Sequence, residues 1–178
     1  MRNDSIEEEE HIAEERVRED MRLARAGLHR SLRELPTLVP AVTCVPSATV
    51  RQAIETMQRA QIGCLLVVDP SRLLGIFTEQ DVLCHVAARE VDIDRLQVSD
   101  LMRPDPVCLH LDDELVYALN QMSMSGSRYI PLLDDQGRPA GVVSGWDIVE
   151  YLVTWFAQDV LNLPPLPPLG IPQDREGA

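Results

Sequence analysis

The sequence predicts a mixed α/β (α+β) protein made of two β-α-β-β-α repeats behind a long N-terminal helix. Three observations predict it. A heptapeptide occurs twice, Gly75-Ile-Phe-Thr78-Glu-Gln-Asp81 and Gly141-Val-Val-Ser144-Gly-Trp-Asp147, with glycine, hydroxyl residue and aspartate each displaced by 66 positions. Upstream, Val50, Ala53, Ile54 and Met57 fall on Leu115, Ala118, Leu119 and Met122 at an offset of 65, as the run from Leu65 to Asp69 falls on Ile130 to Asp134. The one extra residue lies in Asp135-Gln136-Gly137-Arg138-Pro139, which is turn chemistry. A period of this size kept through both halves marks duplication of one supersecondary unit.

Taken in order, residues 5–35 read as one helix. Ser5 and Glu8 form a capping box, and Glu7 to Glu10 place negative charge at the positive end of the helix dipole. Val17, Met21, Ala24, Leu28, Leu32 and Leu35 make a narrow apolar stripe at helical spacing. Such a helix either lies across the repeats or pairs with a partner chain. Pro36 to Pro40 breaks it. The first repeat then reads as strand 42–45, helix 49–61, strand 64–68, strand 74–77 and helix 79–89. A linker, 91–101, leads to the second: strand 107–109, helix 114–123, strand 129–132, strand 140–143 and helix 146–160. That last helix is apolar on several faces, with Ile148, Val149, Leu152, Val153, Trp155, Phe156 and Val160. A helix apolar nearly all round is expected to be buried, here in a subunit interface. The tail 163–172, with five prolines and glycine among leucines and isoleucine, has extended polyproline character. The organisation is thus an amphipathic helix (1–37), a first repeat (38–90), a linker and second repeat (91–153), and a helix extension with a proline-rich tail (154–178).

Composition narrows the function. Hydrophobic residues make up 45% of the 178 positions and aromatics only 4%, so the core is aliphatic. The net charge of −13 argues against sequence-independent nucleic-acid binding, which needs a basic surface. Lysine is absent, which excludes Schiff-base chemistry and a Walker-type phosphate loop. Cys44, Cys64, Cys84 and Cys108 lie far apart in apolar stretches without a Cys-x-x-Cys pair, as expected of reduced thiols in a cytoplasmic protein. No metal site is predicted. The histidines at 11, 29, 85 and 110 fall on different elements, and no nucleophile–base pair is evident, so no enzyme is expected.

The duplicated motif carries two readings. A hydroxyl residue three positions before an aspartate, at a strand-to-helix junction, is a capping box. The same aspartate can also accept two hydrogen bonds from a ribose diol, and the hydroxyl and first-turn N–H groups can meet phosphate.

From Leu38 to Val153 the chain resembles the CBS-domain family, whose paired repeats form a Bateman module. The resemblance rests on the doubled Gly-apolar-apolar-Thr/Ser-x-x-Asp motif, the apolar strands ending in Asp69 and Asp134, and Asp100-Leu101-Met102 opening the second copy. It implies a pseudo-twofold module with nucleotide pockets shared between repeats. A first pocket would combine Thr78 and Asp81 with Val107, Cys108, Ser127, Arg128 and Tyr129. A second would combine Ser144 and Asp147 with Val42, Thr43, Ile62 and Gly63. Arg128 aligns with Gly63 and Tyr129 with Cys64, so the first pocket gains a guanidinium for phosphate and a ring to pack on a base.

One arginine amid acidic surroundings favours few phosphates, ranking AMP or ADP above ATP as a regulatory ligand; S-adenosylmethionine is an alternative. The leading expectation is therefore a stand-alone, cytoplasmic sensor of an adenine nucleotide. It would be homodimeric through its terminal helices and would signal to an effector protein. The alternative is a ligand-free structural or dimerisation module in which both motifs are only caps.

Overall fold

The computed structural model describes residues 22, 27–87 and 90–155. Most of the expected N-terminal helix, the last helix beyond Trp155 and the proline-rich tail lie outside these residues. Within them, residues 27–28 are helical, but Leu32–Glu34 forms a 3-10 turn, so the expected continuation of the helix to Leu35 is corrected. The second repeat captures this segment instead. The N–H groups of Leu32 and Arg33 donate to the carbonyls of Asp113 and Leu111 at 2.9 and 2.8 Å. The Ser31 hydroxyl donates to the Leu111 carbonyl at 2.8 Å and accepts from the Arg33 N–H at 3.3 Å, capping the turn. Leu32 and Leu35 then enter the core of the second repeat.

The remaining elements are β1 (Val39–Pro40), β2 (Thr43–Cys44), α1 (Val50–Ala60), β3 (Cys64–Asp69), β4 (Arg72–Thr78), α2 (Glu79–His85), α3 (Val98–Leu101), β5 (Arg103–Pro104), β6 (Leu109–His110), α4 (Leu115–Ser125), β7 (Tyr129–Leu133), β8 (Pro139–Ser144) and α5 (Gly145–Trp155). The two β-α-β-β-α units are present. The sequence reading did not anticipate β1, α3 and β5.

The strands form two four-stranded sheets, β2-β3-β4-β5 and β6-β7-β8-β1. In each, the first strand of a repeat pairs parallel with the second, and the second antiparallel with the third. The outer two-residue strand comes from the lead-in to the other repeat: β1 pairs antiparallel with β8, and β5 with β4. This exchange explains the repeated glycine. Gly75 pairs with Pro104, and a Cβ there would lie 2.6 Å from Met102 Sδ and 2.9 Å from the Arg103 carbonyl oxygen. Gly141 pairs with Pro40, and its Cβ would lie 3.1 Å from Leu38 Cδ1 and 3.2 Å from the Val39 carbonyl oxygen. The crossing strand crowds a side chain at both positions, more severely at Gly75 than at Gly141.

Helical and strand periodicities bring their apolar faces together. In the first repeat, Val50, Ala53 and Met57 of α1 pack with Leu65, Val67, Phe77 and Val98. In the second, Leu115 and Ala118 of α4 pack with Ile130, Leu132, Val143, Ile148 and Tyr151. The opposite faces of the sheets meet each other: Cys64, Leu66 and Ile76 contact Tyr129 and Val142. This inter-repeat layer holds the site.

Within one chain the last helix buries one face, and the expected subunit interface would have to cover the rest. Ile148 and Tyr151 are buried, whereas Trp146 is 73% exposed and Val149 48%. A single amphipathic contact with α4 and β8 cannot cover a helix apolar all round.

Candidate ligand-binding site

Both repeated motifs close as capping boxes at the start of α2 and α5. Asp81 Oδ2 accepts from the Thr78 N–H at 2.8 Å and from the Thr78 hydroxyl at 2.6 Å, while Thr78 Oγ1 accepts from the Asp81 N–H at 3.4 Å. Asp147 Oδ2 accepts from the Ser144 N–H at 2.7 Å and from its hydroxyl at 2.6 Å, and Ser144 Oγ accepts from the Asp147 N–H at 3.2 Å. The first N–H of each helix is also engaged. Glu79 N–H donates to the Gly63 carbonyl at 2.9 Å and Gly145 N–H to the Arg128 carbonyl at 3.1 Å. In both copies one carboxylate oxygen serves the cap, leaving the other to distinguish the two sites.

Around Asp147 there is a cleft of about 210 Å³ between the repeats. The N-terminal segment contributes Val39, Pro40 and Val42, the turn after α1 contributes Gln61, Ile62 and Gly63, and Cys64 opens β3. Tyr129, Val142, Ser144 and Asp147 complete it from the second repeat. Of the residues the sequence grouped here, the cleft gathers Ser144, Asp147, Val42, Ile62 and Gly63. Thr43 is exposed on β2 and is not among its lining residues. Among the described residues, Asp147 Oδ1 has no hydrogen-bond partner.

Tyr129, which the sequence placed with Thr78 and Asp81, lines this second cleft because it pairs across β7 and β8 with Ser144. Its hydroxyl donates to Glu79 Oε1 at 3.2 Å. Burial, reinforced by the nearby Glu79 carboxylate, pushes the phenol up to about 12. The ring passes where Gly63 has no side chain: a Cβ there would lie 1.9 Å from Tyr129 Oη and 2.8 Å from Cζ. Cys64 lies beneath, its thiol pushed up to about 12 by burial and then by the Glu79 and Asp147 carboxylates. The cleft is lined mainly by apolar side chains, with the Asp147 carboxylate among them and Glu79 close to Tyr129.

The surroundings of Asp81 differ. Thr78 and Asp81 are 1% and 6% exposed, although both are polar. Arg103 from β5 crosses them, with Nε 3.5 Å from Asp81 Oδ1 and Nη2 donating to Thr78 Oγ1 at 3.2 Å. Sequence reasoning missed this arginine. Arg128 reaches the first turn of α2 but meets Glu79, Nη1 to Oε1 3.7 Å. The remaining residues grouped with Asp81 lie on the approaches to β6 and β7. Val107 is exposed, the Cys108 thiol donates to the Pro106 carbonyl at 3.2 Å, and the Ser127 hydroxyl donates to the Tyr129 carbonyl at 2.9 Å.

Away from both motifs, His110, Asp112 and Asp135 bring their donor atoms within 4.8 Å of one another. Arg33 already occupies this acidic group, with Nε 2.8 Å from Asp112 Oδ1 and Nη2 4.0 Å from Asp135 Oδ1. No described helix is long and apolar enough to cross a membrane.

Comparison with known proteins agrees with this architecture. An uncharacterized 17.7 kDa protein of Acidianus ambivalens is 30% identical over 109 residues, which cover 61% of this chain and 65% of that protein. The chain therefore spans just under two thirds of that relative's length. The CBS domain of a CBS domain containing membrane protein from Sphaerobacter thermophilus superimposes with a TM-score of 0.64 at 28% identity, over 79% of this chain and 97% of that one. Two more distant structures share the fold. One is CBSX2 in complex with AMP, with a TM-score of 0.62 at 20% identity, over 70% of this chain and 97% of the other. The second is the CBS domain pair of protein MJ0100 in complex with 5-methylthioadenosine and S-adenosyl-L-methionine, with a TM-score of 0.60 at 22% identity, over 67% and 97%. Residues 32–88 and 98–154 each match the CBS domain, so the duplication has a family, and the chain belongs to the CBS-domain proteins.

Proposed function

We propose that this protein is a regulatory CBS pair that binds an adenosyl ligand in the cleft between its repeats and passes the bound state to an effector protein. One observation carries the reading. Asp147 stands in an inter-repeat cleft with one carboxylate oxygen held by the cap and the other free of described partners. A ribose diol supplies the two donors that a free carboxylate oxygen accepts, and Tyr129, Ile62 and Val142 offer apolar surface to a base. The AMP bound by CBSX2, and the two adenosyl compounds bound by the MJ0100 pair, support this class of ligand.

Charge ranks the candidates. Arg128 pairs with Glu79, which also accepts from the Tyr129 hydroxyl, and a phosphate would compete with Glu79 for the guanidinium. A single shared cation suits AMP or ADP better than ATP. The Asp147 and Glu79 carboxylates also suit the positive sulfonium of S-adenosylmethionine, which is the second candidate. Thermal melting with AMP, ADP, ATP, adenosine and S-adenosylmethionine tests the reading. A ligand at 100 times its Kd raises stability by about 2.7 kcal/mol. Asp147→Ala should remove the shift, and Arg128→Ala should weaken AMP and ADP while sparing adenosine. No shift with any of the five would leave the motifs as helix caps in a structural module.

The same reading takes the protein as a homodimer with α5 in the interface, since Trp146 and Val149 lie exposed on it. Mass in solution tests this. Trp146→Glu should yield monomers, and an unchanged mass would place the contact elsewhere.

A further inference from the structure

Besides Arg128 against Gly63 and Tyr129 against Cys64, the two sites differ at a structurally equivalent position on the crossing strands. On β5, Arg103 pairs with Ile76 and Pro104 with Gly75; on β1, Val39 pairs with Val142 and Pro40 with Gly141. Since Gly75 and Ile76 repeat as Gly141 and Val142, Arg103 and Val39 occupy the same place in the two halves. In one half this position carries a guanidinium lying over the aspartate. In the other it carries a valine that lines an open cleft.

We propose that Arg103 is a built-in latch that closes the first site, so that each chain takes one adenosyl ligand, at Asp147. The proposal rests on the function proposed above and deepens it. The chemistry of Asp81 is already satisfied. Oδ2 accepts twice from Thr78, and Oδ1 faces the Arg103 guanidinium. The Thr78 hydroxyl donates to Asp81 and accepts from Arg103 Nη2, so it too is fully occupied. A ribose diol at Asp81 must displace a charged donor with a neutral one, and charge-assisted hydrogen bonds are the stronger kind. The aspartate is also 6% exposed, which leaves the diol no approach while the arginine stays in place. At Asp147 nothing corresponds to this contact, because a valine side chain has no donor.

The closure of the Asp81 site is therefore assigned to the Val39/Arg103 difference, which can be exchanged. Isothermal titration with AMP, repeated with S-adenosylmethionine, counts the sites in the wild type, in Arg103→Val and in Val39→Arg. Circular dichroism and thermal melting of each variant establish that it is folded. The wild type should bind one ligand per chain, lost with Asp147→Asn and kept with Asp81→Asn. Arg103→Val should bind two, the added one lost with Asp81→Asn. Val39→Arg should lose binding by about tenfold or more, as expected when a charge-assisted contact must be displaced.

Two sites in the wild type, or binding lost with Asp81→Asn, would overturn the latch while leaving the proposed function intact. Wild-type binding lost in Arg103→Val would overturn it by making Arg103 a ligand group. Should Arg103→Val not fold, Val39→Arg decides alone, and unweakened binding there refutes the proposal. Absence of binding in every variant would remove the proposed function and the latch together.

Discussion

Gly63→Ala tests the packing on which the cleft depends. An alanine Cβ at this position would stand 1.9 Å from Tyr129 Oη and 2.8 Å from Cζ, well inside van der Waals contact. Both atoms belong to the far end of a side chain, so the ring swings away and its hydrogen bond to Glu79 is lost. Overpacking of this kind costs about 1–3 kcal/mol, which for a chain of this size lowers Tm by about 2–12 °C. Backbone strain adds nothing, because Gly63 is not among the positive-φ residues. The opposing term is the reduced freedom of the unfolded chain, worth about 0.4–1 kcal/mol in favour of alanine. The steric term wins only while Tyr129 is present. A double-mutant cycle in urea separates the two: in a Tyr129→Ala background, Gly63→Ala should become neutral or stabilising. Glu79 Oε2, 2.7 Å from the new Cβ, ends an exposed side chain and can move. Equal destabilisation by Gly63→Ala in both backgrounds would refute the reasoning.

Other perturbations have equally definite outcomes. Leu32→Ala removes a fully buried side chain from the second core and should cost about 2–5 kcal/mol by equilibrium denaturation, although Leu32 lies ahead of the first repeat's strands in sequence. Of the four thiols, exposed Cys84 should react first with a disulfide reagent at mildly alkaline pH; Cys44 and Cys64, pushed up to about 11 and about 12 by burial, should react only on unfolding. Tyr129 is raised above the ordinary phenol value of about 10 to about 12, so the fold holds its proton more tightly than the unfolded chain does. That stabilisation is fully present below the unfolded value and is lost as pH rises through the folded one, in the direction also set by Cys64. Tyr129→Phe should flatten the alkaline loss of stability, and the phenolate absorbance change at the high-pH end of the wild-type titration should vanish with it.

Local signals made the repeats legible. The capping boxes at Thr78 and Ser144, the helical stripe Val50-Ala53-Met57 and the buried strand from Cys64 are each written within a few residues, and each fell close to its expected place. What escaped was non-local. β1 and β5 are two residues long, too short for any periodicity, and exist because a glycine in the other repeat lets them approach. Arg103 reaches Asp81 only through that exchange, so no spacing around Asp81 points to it. A signal was nonetheless present: Leu38-Val39-Pro40 and Met102-Arg103-Pro104 align as apolar-x-Pro at an offset of 64, with the variable position holding the difference. Tyr129 joins the other cleft for a related reason. Its strand neighbour Ser144 is 15 residues away in sequence, and pairing register rather than repeat alignment decides which cleft its ring fills.

The strand exchange also bears on how a ligand could be felt elsewhere. A ligand at Asp147 would touch the second repeat through the cap of α5 and the first through Val42, Ile62 and Gly63. It can shift an equilibrium only by as much as its affinity differs between the states concerned. Those states must therefore differ in how the two repeats sit against each other, since each repeat alone supplies only part of the contacts. The elements able to carry such a difference are the ones that cross, β1 and β5, with the segment from Ser31 to Leu35 that locks β1 to the second core. Arg103 lies on one crossing strand and Val39 on the other. The residue that decides whether a site is open thus lies on the strand that holds the repeats together, and ligand occupancy and repeat geometry cannot be varied independently.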